Sequence, residues 1–85
     1  MQQFKHIIKD PQGIHARPAG LLVNEAKKYE SKVTIAKDGK EADARKLFAI
    51  MSLGVKANET IEIKVEGEDE EKAAASLKTF MEELW

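Results

Sequence analysis

The sequence Gly-Ile-His-Ala-Arg-Pro-Ala-Gly at residues 13–20 places a histidine where a turn passes into a helix. Gly13 tolerates positive φ, which allows the chain to turn sharply before the histidine. Pro18 is typical of a first helical turn, because its missing N–H would have no partner there. The sequence therefore predicts that His15 lies just before the first turn of a helix.

The start of this helix has the chemistry of an anion site. The first N–H groups, here those of Ala16 and Arg17, point outward at the positive end of the helix dipole. Arg17 adds a guanidinium whose paired donors match phosphate or carboxylate oxygens. This environment disfavours a positive imidazole and favours a dianion on its nitrogen, so His15 is a candidate phosphoryl acceptor. For so short a motif taken alone, a loop histidine beside a solvated arginine is the commoner explanation.

Composition restricts the classes of protein that the chain can represent. Its 85 residues predict one domain over residues 1–85. The net charge of −1 gives no basic surface for nucleic acid, and the absence of cysteine excludes disulfides and thiolate metal sites. No apolar run approaches the length of a membrane span, so we expect a cytoplasmic protein without membrane insertion.

Periodic patterns along the chain predict the order β-α-β-β-α-β-α. Alternating apolar residues favour strands at residues 4–9, 32–36, 40–43 and 60–66, with a two-residue turn at Asp38-Gly39. The polar outer faces of these strands indicate an antiparallel sheet that is covered on one side only. With the helices gathered on that side, the expected fold is an open-faced α+β sandwich.

Each predicted helix has an apolar stripe. The first uses Ala19, Leu22, Val23 and Ala26 and closes with Lys27, Lys28 and Tyr29. In the second, at about residues 46–53, Leu47, Ile50 and Met51 share one side, whereas Phe48 points elsewhere. The third follows the acidic segment 66–71, in which Asp69 as an N-cap is a simpler explanation than a metal site.

Two motifs together resemble a known family. The 13–20 segment looks like the active-site signature of the HPr family, the histidine-containing phosphocarriers of the bacterial phosphoenolpyruvate-dependent sugar phosphotransferase system. A second similar segment, Met51–Val55, follows at the expected distance, and the resemblance covers the whole chain. It implies that enzyme I phosphorylates Nδ1 of His15, that IIA components of sugar permeases receive the group, and that Arg17 assists. It also implies strand order 1-4-2-3, a monomer, and no cofactor or metal.

The resemblance further implies a docking patch around Leu47 and Phe48, which is completed by Gly20, Lys27, Met51 and Gly54. An alternative from another class is a regulatory module that binds effectors on this surface without relaying phosphate. Retention of both His15 and Arg17 favours the carrier, because a pure binding module has no use for a nucleophile.

The chain departs from many Gram-positive relatives at Lys46. Those relatives carry a serine just before the position matching Leu47, which an ATP-dependent kinase phosphorylates for regulation. Lysine has no hydroxyl to accept a phosphate and is a poor N-cap, which leaves the first amides of this helix to water or to Asp43. We therefore expect phosphate relay without this serine-linked regulation.

Overall fold

Four strands pair into one antiparallel sheet in the computed structural model, which describes residues 1–85. Their bounds are β1 Gln2–Ile7, β2 Lys32–Lys37, β3 Lys40–Asp43 and β4 Thr60–Glu66. The strands lie in the order β1-β4-β2-β3, and each neighbouring pair is antiparallel. The predicted strand order is confirmed, although β1 begins and ends two residues earlier than the sequence pattern indicated.

Three helices cover one face of this sheet. They are α1 Ala16–Ala26, α2 Leu47–Ser52 and α3 Glu70–Leu84. Helix α3 packs against β1 and β4, and α1 contacts both α2 and α3. Between helices and sheet lies one cluster of 21 buried apolar residues. This is the predicted open-faced α+β sandwich, and no helix in it has both the length and the apolar character needed to cross a membrane.

Strand β4 shows why the alternating pattern was a reliable guide. Its inward side chains Ile61, Ile63 and Val65 are buried in the core. On the opposite face, Lys64 forms an ion pair with Glu41 of β3 at 2.9 Å. The uncovered face of the sheet therefore carries paired charges, as expected for a surface that meets water.

The turn between β2 and β3 forms as predicted. Asp38 has φ of 49° and Gly39 has φ of 83°. Two successive residues with positive φ are typical of the tight hairpin turn whose twist matches that of the flanking strands. The register pairs Lys37 with Lys40, so the loop contains only these two residues.

The end of α1 differs from the prediction. The helix stops at Ala26 with Lys27 as its C-cap, so the segment through Tyr29 lies beyond it. The guanidinium of Arg45 explains the difference, since one of its nitrogens donates to the carbonyls of Tyr29 at 2.8 Å and Ser31 at 2.9 Å. A side chain from beyond β3 thus holds the backbone in a turn that the local sequence would allow to remain helical.

Asp69 is the N-cap residue of α3, as predicted, and Glu70 and Glu71 follow in the first turn, but the Asp69 side chain bonds elsewhere. Its carboxylate makes no hydrogen bond to that helix. The carboxylate accepts instead from the N–H groups of Glu30 at 3.0 Å and Ser31 at 2.9 Å and from the Ser31 hydroxyl. Because Ser31 is almost fully buried, its polar groups need partners, and Asp69 supplies them. No group of three His, Cys, Asp or Glu side chains lies close enough to hold a metal ion.

Helix α2 is too short to bury all the apolar residues assigned to one side. Ile50 is completely buried, and Leu47 packs against the core with part of its surface exposed. Met51 remains 37% exposed, so the side that it was predicted to share with Leu47 and Ile50 is only partly buried. In contrast, the four residues of the predicted α1 stripe are all buried, as expected.

Candidate functional site

The segment before α1 makes a turn that only glycine accommodates. Gly13 has φ of +68°, and a Cβ atom there would overlap the Val55 carbonyl oxygen and come within 2.8 Å of the Cα of Lys56. Its N–H donates to the carbonyl of Asp10 at 2.8 Å, and the N–H of Ile14 donates to Val55 at 3.1 Å. These two bonds fix the direction in which the chain reaches His15.

Val55 and Lys56, which lie against Gly13, belong to a segment that is itself held in place by hydrogen bonds. The ammonium of Lys37 donates to the Gly54 carbonyl at 3.1 Å and to the Glu59 carboxylate at 2.8 Å. The same carboxylate oxygen accepts from the N–H of Lys56 at 2.6 Å. The bond from Lys37 is the main reason that the pKa of Glu59 lies below its ordinary value. The ion pair of Lys37 and Glu59 at the end of β2 therefore stabilises the segment that lies against the loop before His15.

His15 occupies the N-cap position of α1. Its backbone is extended, with φ of −126° and ψ of 175°, and its side chain makes no capping bond. Its carbonyl accepts from Ala19 at 3.1 Å, which closes the first helical turn. The imidazole is 35% exposed and can therefore meet a partner from solution. The predicted placement of His15 immediately before the first turn is confirmed.

The first turn of α1 offers free donors next to this imidazole. The N–H groups of Ala16 and Arg17 have no hydrogen-bond partner in the chain, and Pro18 has no N–H. The turn contains no acidic residue, and the exposed Arg17 side chain forms no ion pair. The helix dipole, two amides and a guanidinium therefore act together on any anion bound at His15.

The other edge of the imidazole faces Asp10. Nε2 of His15 lies 3.4 Å from a carboxylate oxygen of Asp10. The second carboxylate oxygen accepts from the N–H of Gln12 at 2.9 Å. This backbone bond, followed by the contact with His15, lowers the pKa of Asp10 below its ordinary value. The sequence Asp-Pro-Gln-Gly at residues 10–13 is typical of a turn, and an acidic side chain in a turn just before a histidine was the available signal for this contact.

Exposed apolar side chains lie on α1 and α2, which pack against each other. Phe48 on α2 is 84% exposed, and Met51 on the same helix is also exposed. Helix α1 packs against α2 and contributes Leu21, which is 47% exposed and was not among the predicted docking residues. Its position off the buried stripe was the signal that could have identified it.

The other predicted docking residues are Gly20 and Lys27 on or at the end of α1 and Gly54 after α2. Gly20 is in the middle of α1, and no atom lies within 4 Å of where its Cβ would be. Lys27 is exposed at the end of α1, about 18 Å of helix away from His15. Gly54 follows α2 with φ of +63°, which is typical of a residue that ends a helix. The structure thus brings His15 and Arg17 together at one end of α1 and places Lys27 at the other.

The second histidine has different surroundings. His6 lies on β1, where partial burial lowers its pKa below the ordinary value. Its Nε2 is buried without a hydrogen-bond partner. Neither a free helix end nor an arginine accompanies it, which separates it chemically from His15.

Comparison with known proteins places the chain in a family. The family model described as the PTS HPr component phosphorylation site matches residues 2–83. The chain belongs to the HPr family. This membership makes it a phosphocarrier of the phosphotransferase system rather than an enzyme that turns over a substrate.

Individual relatives are similar over nearly their full lengths. The phosphocarrier protein HPr of Mycoplasma genitalium is 45% identical over 83 residues, which cover 96% of this chain and 94% of that protein. The corresponding protein of Buchnera aphidicola subsp. Acyrthosiphon pisum is 44% identical over 91% of each chain. Among solved structures, HPr from Thermoanaerobacter tengcongensis superimposes with a TM-score of 0.92 at 38% identity, covering 99% of this HPr-family chain and 94% of the other.

Proposed function

We propose that His15 is the residue that carries the phosphoryl group, accepting it from enzyme I and passing it to IIA components of sugar permeases. The observation that carries this proposal is the position of the exposed imidazole at the start of α1, beside the two unpartnered N–H groups of Ala16 and Arg17. Family resemblance supports Nδ1 as the acceptor atom.

The transfer step uses the imidazole as a nucleophile. The lone pair on Nδ1 attacks phosphorus, an N–P bond forms, and the bond between phosphorus and the donor's leaving atom breaks with its electrons returning to the donor. The N–H groups of Ala16 and Arg17 donate to the phosphoryl oxygens, and the Arg17 guanidinium balances their charge. Onward transfer reverses these roles, with His15 as the leaving group.

An open surface suits a group that must be received from one protein and surrendered to another. None of the three surface depressions of the molecule is lined by His15. We assign docking to Leu47, Phe48 and Met51 on α2, with Gly20, Lys27 and Gly54 around them. Exposed apolar side chains next to a charged site are typical of partner surfaces. A single copy of the domain suffices for this role, which we place in the cytoplasm.

The test is incubation with enzyme I and phosphoenolpyruvate, followed by measurement of intact mass. We expect one added phosphate that survives alkali and is lost in acid, as an N–P bond requires. His15→Ala should take up none, whereas the matched variant His6→Ala should take up the same single phosphate as the original chain. Uptake by His15→Ala would remove the basis of the proposal.

Docking is tested separately through the dependence of transfer rate on partner concentration. Phe48→Ala should weaken association roughly 10- to 30-fold and leave the rate at saturation unchanged, because its ring contacts partners rather than phosphate. Its thermal unfolding should match that of the original chain, since the ring is 84% exposed. Arg17→Ala should instead lower the rate at saturation, and the reverse assignment would refute the docking model.

A further inference from the structure

One carboxylate is positioned to act on the edge of His15 that faces away from Nδ1. The distance from Nε2 to the carboxylate oxygen Oδ2 of Asp10 is 3.4 Å, and both side chains are about one-third exposed or less. This is longer than an ordinary hydrogen bond, but catalytic pairs are often long before the reacting partner arrives. The contact is therefore close enough to select which ring nitrogen carries the proton.

The carboxylate is held in place by its own turn. Oδ1 of Asp10 accepts from the N–H of Gln12 at 2.9 Å, which leaves Oδ2 for the imidazole. The carbonyl of Asp10 accepts from Gly13 at 2.8 Å, so both the side chain and the backbone of this residue are fixed. Such a double attachment reduces the entropy that a surface pair normally loses on forming.

We propose that Asp10 is a positioning residue for phosphoryl transfer, whose carboxylate keeps the ring proton of His15 on Nε2 and leaves Nδ1 unprotonated to attack phosphorus. This rests on the proposed function of His15. A carboxylate can only accept, so the neutral imidazole pairs with it through an Nε2–H group. The tautomer with the proton on Nδ1 would lose this bond and would have no lone pair there.

The same pairing serves both directions of transfer without moving a proton. When the N–P bond forms at Nδ1, the ring becomes positively charged and retains its Nε2–H, which Asp10 now pairs with as an ion. When the bond breaks, the electron pair returns to Nδ1 and the ring leaves as neutral imidazole with the same proton on Nε2. The two nitrogens lie on opposite edges of the ring, which keeps the carboxylate apart from the phosphate.

The test measures the tautomer and the transfer rate in the same set of variants. In 15N-labelled protein at about pH 8.5, the nitrogen shifts of His15 report which nitrogen is protonated. We expect the Nε2–H form to dominate in the original chain and in Asp10→Glu, and Asp10→Ala to shift towards a mixture of the two forms. Transfer from saturating enzyme I should fall roughly 10-fold in Asp10→Ala.

Glu68→Ala is the matched control, because it removes one negative charge from an exposed side chain that takes part in no ion pair or side-chain hydrogen bond of the fold. It should change neither the nitrogen shifts nor the rate. If Asp10→Ala folds and keeps both the original tautomer and the original rate, Asp10 is an incidental surface partner and the proposal is wrong. Failure of the original chain to take phosphate on His15 would refute the proposed function instead, while the tautomer measurement would still report on Asp10.

Discussion

Helices α1 and α3 both begin without a side-chain cap, but the two helix starts have different roles. Each helix has an N-cap residue, His15 or Asp69, whose side chain makes no capping bond. The first turn of α3 contains Glu70 and Glu71, which compensate its positive end from within the chain. The first turn of α1 contains no acid and adds Arg17 instead.

This difference indicates what each helix end is for. At α3 the acidic residues lie on the helix itself, so the positive end has little attraction left for an external anion. At α1 two N–H groups and a guanidinium are without partners, so an anion from outside is needed to balance them. A helix N-terminus is therefore a structural element at α3 and a candidate anion site at α1.

The largest expected effect comes from making the start of α1 resemble that of α3. Arg17→Glu places an acid in the first turn, where it competes with the phosphoryl group for the free N–H groups and repels it. We expect transfer at saturating enzyme I to fall about 100-fold or more, measured by rapid-quench phosphorylation. The matched variant Glu71→Arg at α3 should transfer at the original rate. A normal rate in Arg17→Glu would show that the two helix ends do not differ in this way.

A smaller effect concerns stability at the α3 end. Ser31→Ala removes the hydroxyl that donates to Asp69 and should lower the free energy of unfolding by about 1–2 kcal/mol at pH 7, measured by urea denaturation. Transfer through His15 at saturating enzyme I should not change, because Ser31 is buried and takes no part in the open end of α1. A change in that rate would mean that the two helix ends are coupled.

The Ser31→Ala effect should also depend on pH. The bond from Ser31 is the main cause that lowers the pKa of Asp69 from its ordinary value of 3.8, and the Glu30 N–H adds to it. A lowered folded-state pKa stabilises the fold fully above the ordinary value, and this contribution is lost as pH falls through the lowered one. The stability difference between Ser31→Ala and the original chain should therefore be constant from pH 7 to about pH 5 and shrink at lower pH. A difference that grows on acidification would contradict this assignment.

The last prediction is that an HPr kinase adds no phosphate at the start of α2. Lys46 is its exposed N-cap residue and has no hydroxyl, and its side chain makes no capping bond. Incubation with an HPr kinase and ATP should leave the mass of the chain unchanged, because the nearest hydroxyl, Ser52, lies at the far end of α2 and donates to the Phe48 carbonyl at 2.7 Å. Lys46→Ser is the variant in which modification is expected. A stoichiometric phosphoserine on the original chain would overturn this prediction.

Local patterns predicted much of this fold because burial on a sheet or helix face repeats at a fixed interval. The alternation of Ile61, Ile63 and Val65 identified β4 with its observed bounds, since the side chains of a strand alternate between faces. Gly13 and Gly54 marked the two turns on either side of the site because both positions have positive φ. These features depend on neighbours in sequence, which is why they could be predicted.

Two features that the local patterns missed involve side chains that reach residues far along the chain. Asp69 is the predicted N-cap residue, but its side chain bonds Ser31, which lies 38 positions earlier, rather than its own helix. Arg45 ends α1 by donating to carbonyls 14 to 16 positions before it. A polar side chain takes the partner that burial most requires, and only the folded chain determines which groups are buried.

The sequence by itself determined the helix start at His15, the free donors of Ala16 and Arg17, and the excess of apolar residues on α2, because each follows from the backbone chemistry of one short segment. Only the tertiary structure decided that Asp10 turns its carboxylate towards His15. The position of Asp10 depends on the path of the backbone through Gly13, which the opposing segment around Val55 holds in place. That contact joins residues about forty positions apart, and its geometry is set by packing across the whole domain rather than by any local preference.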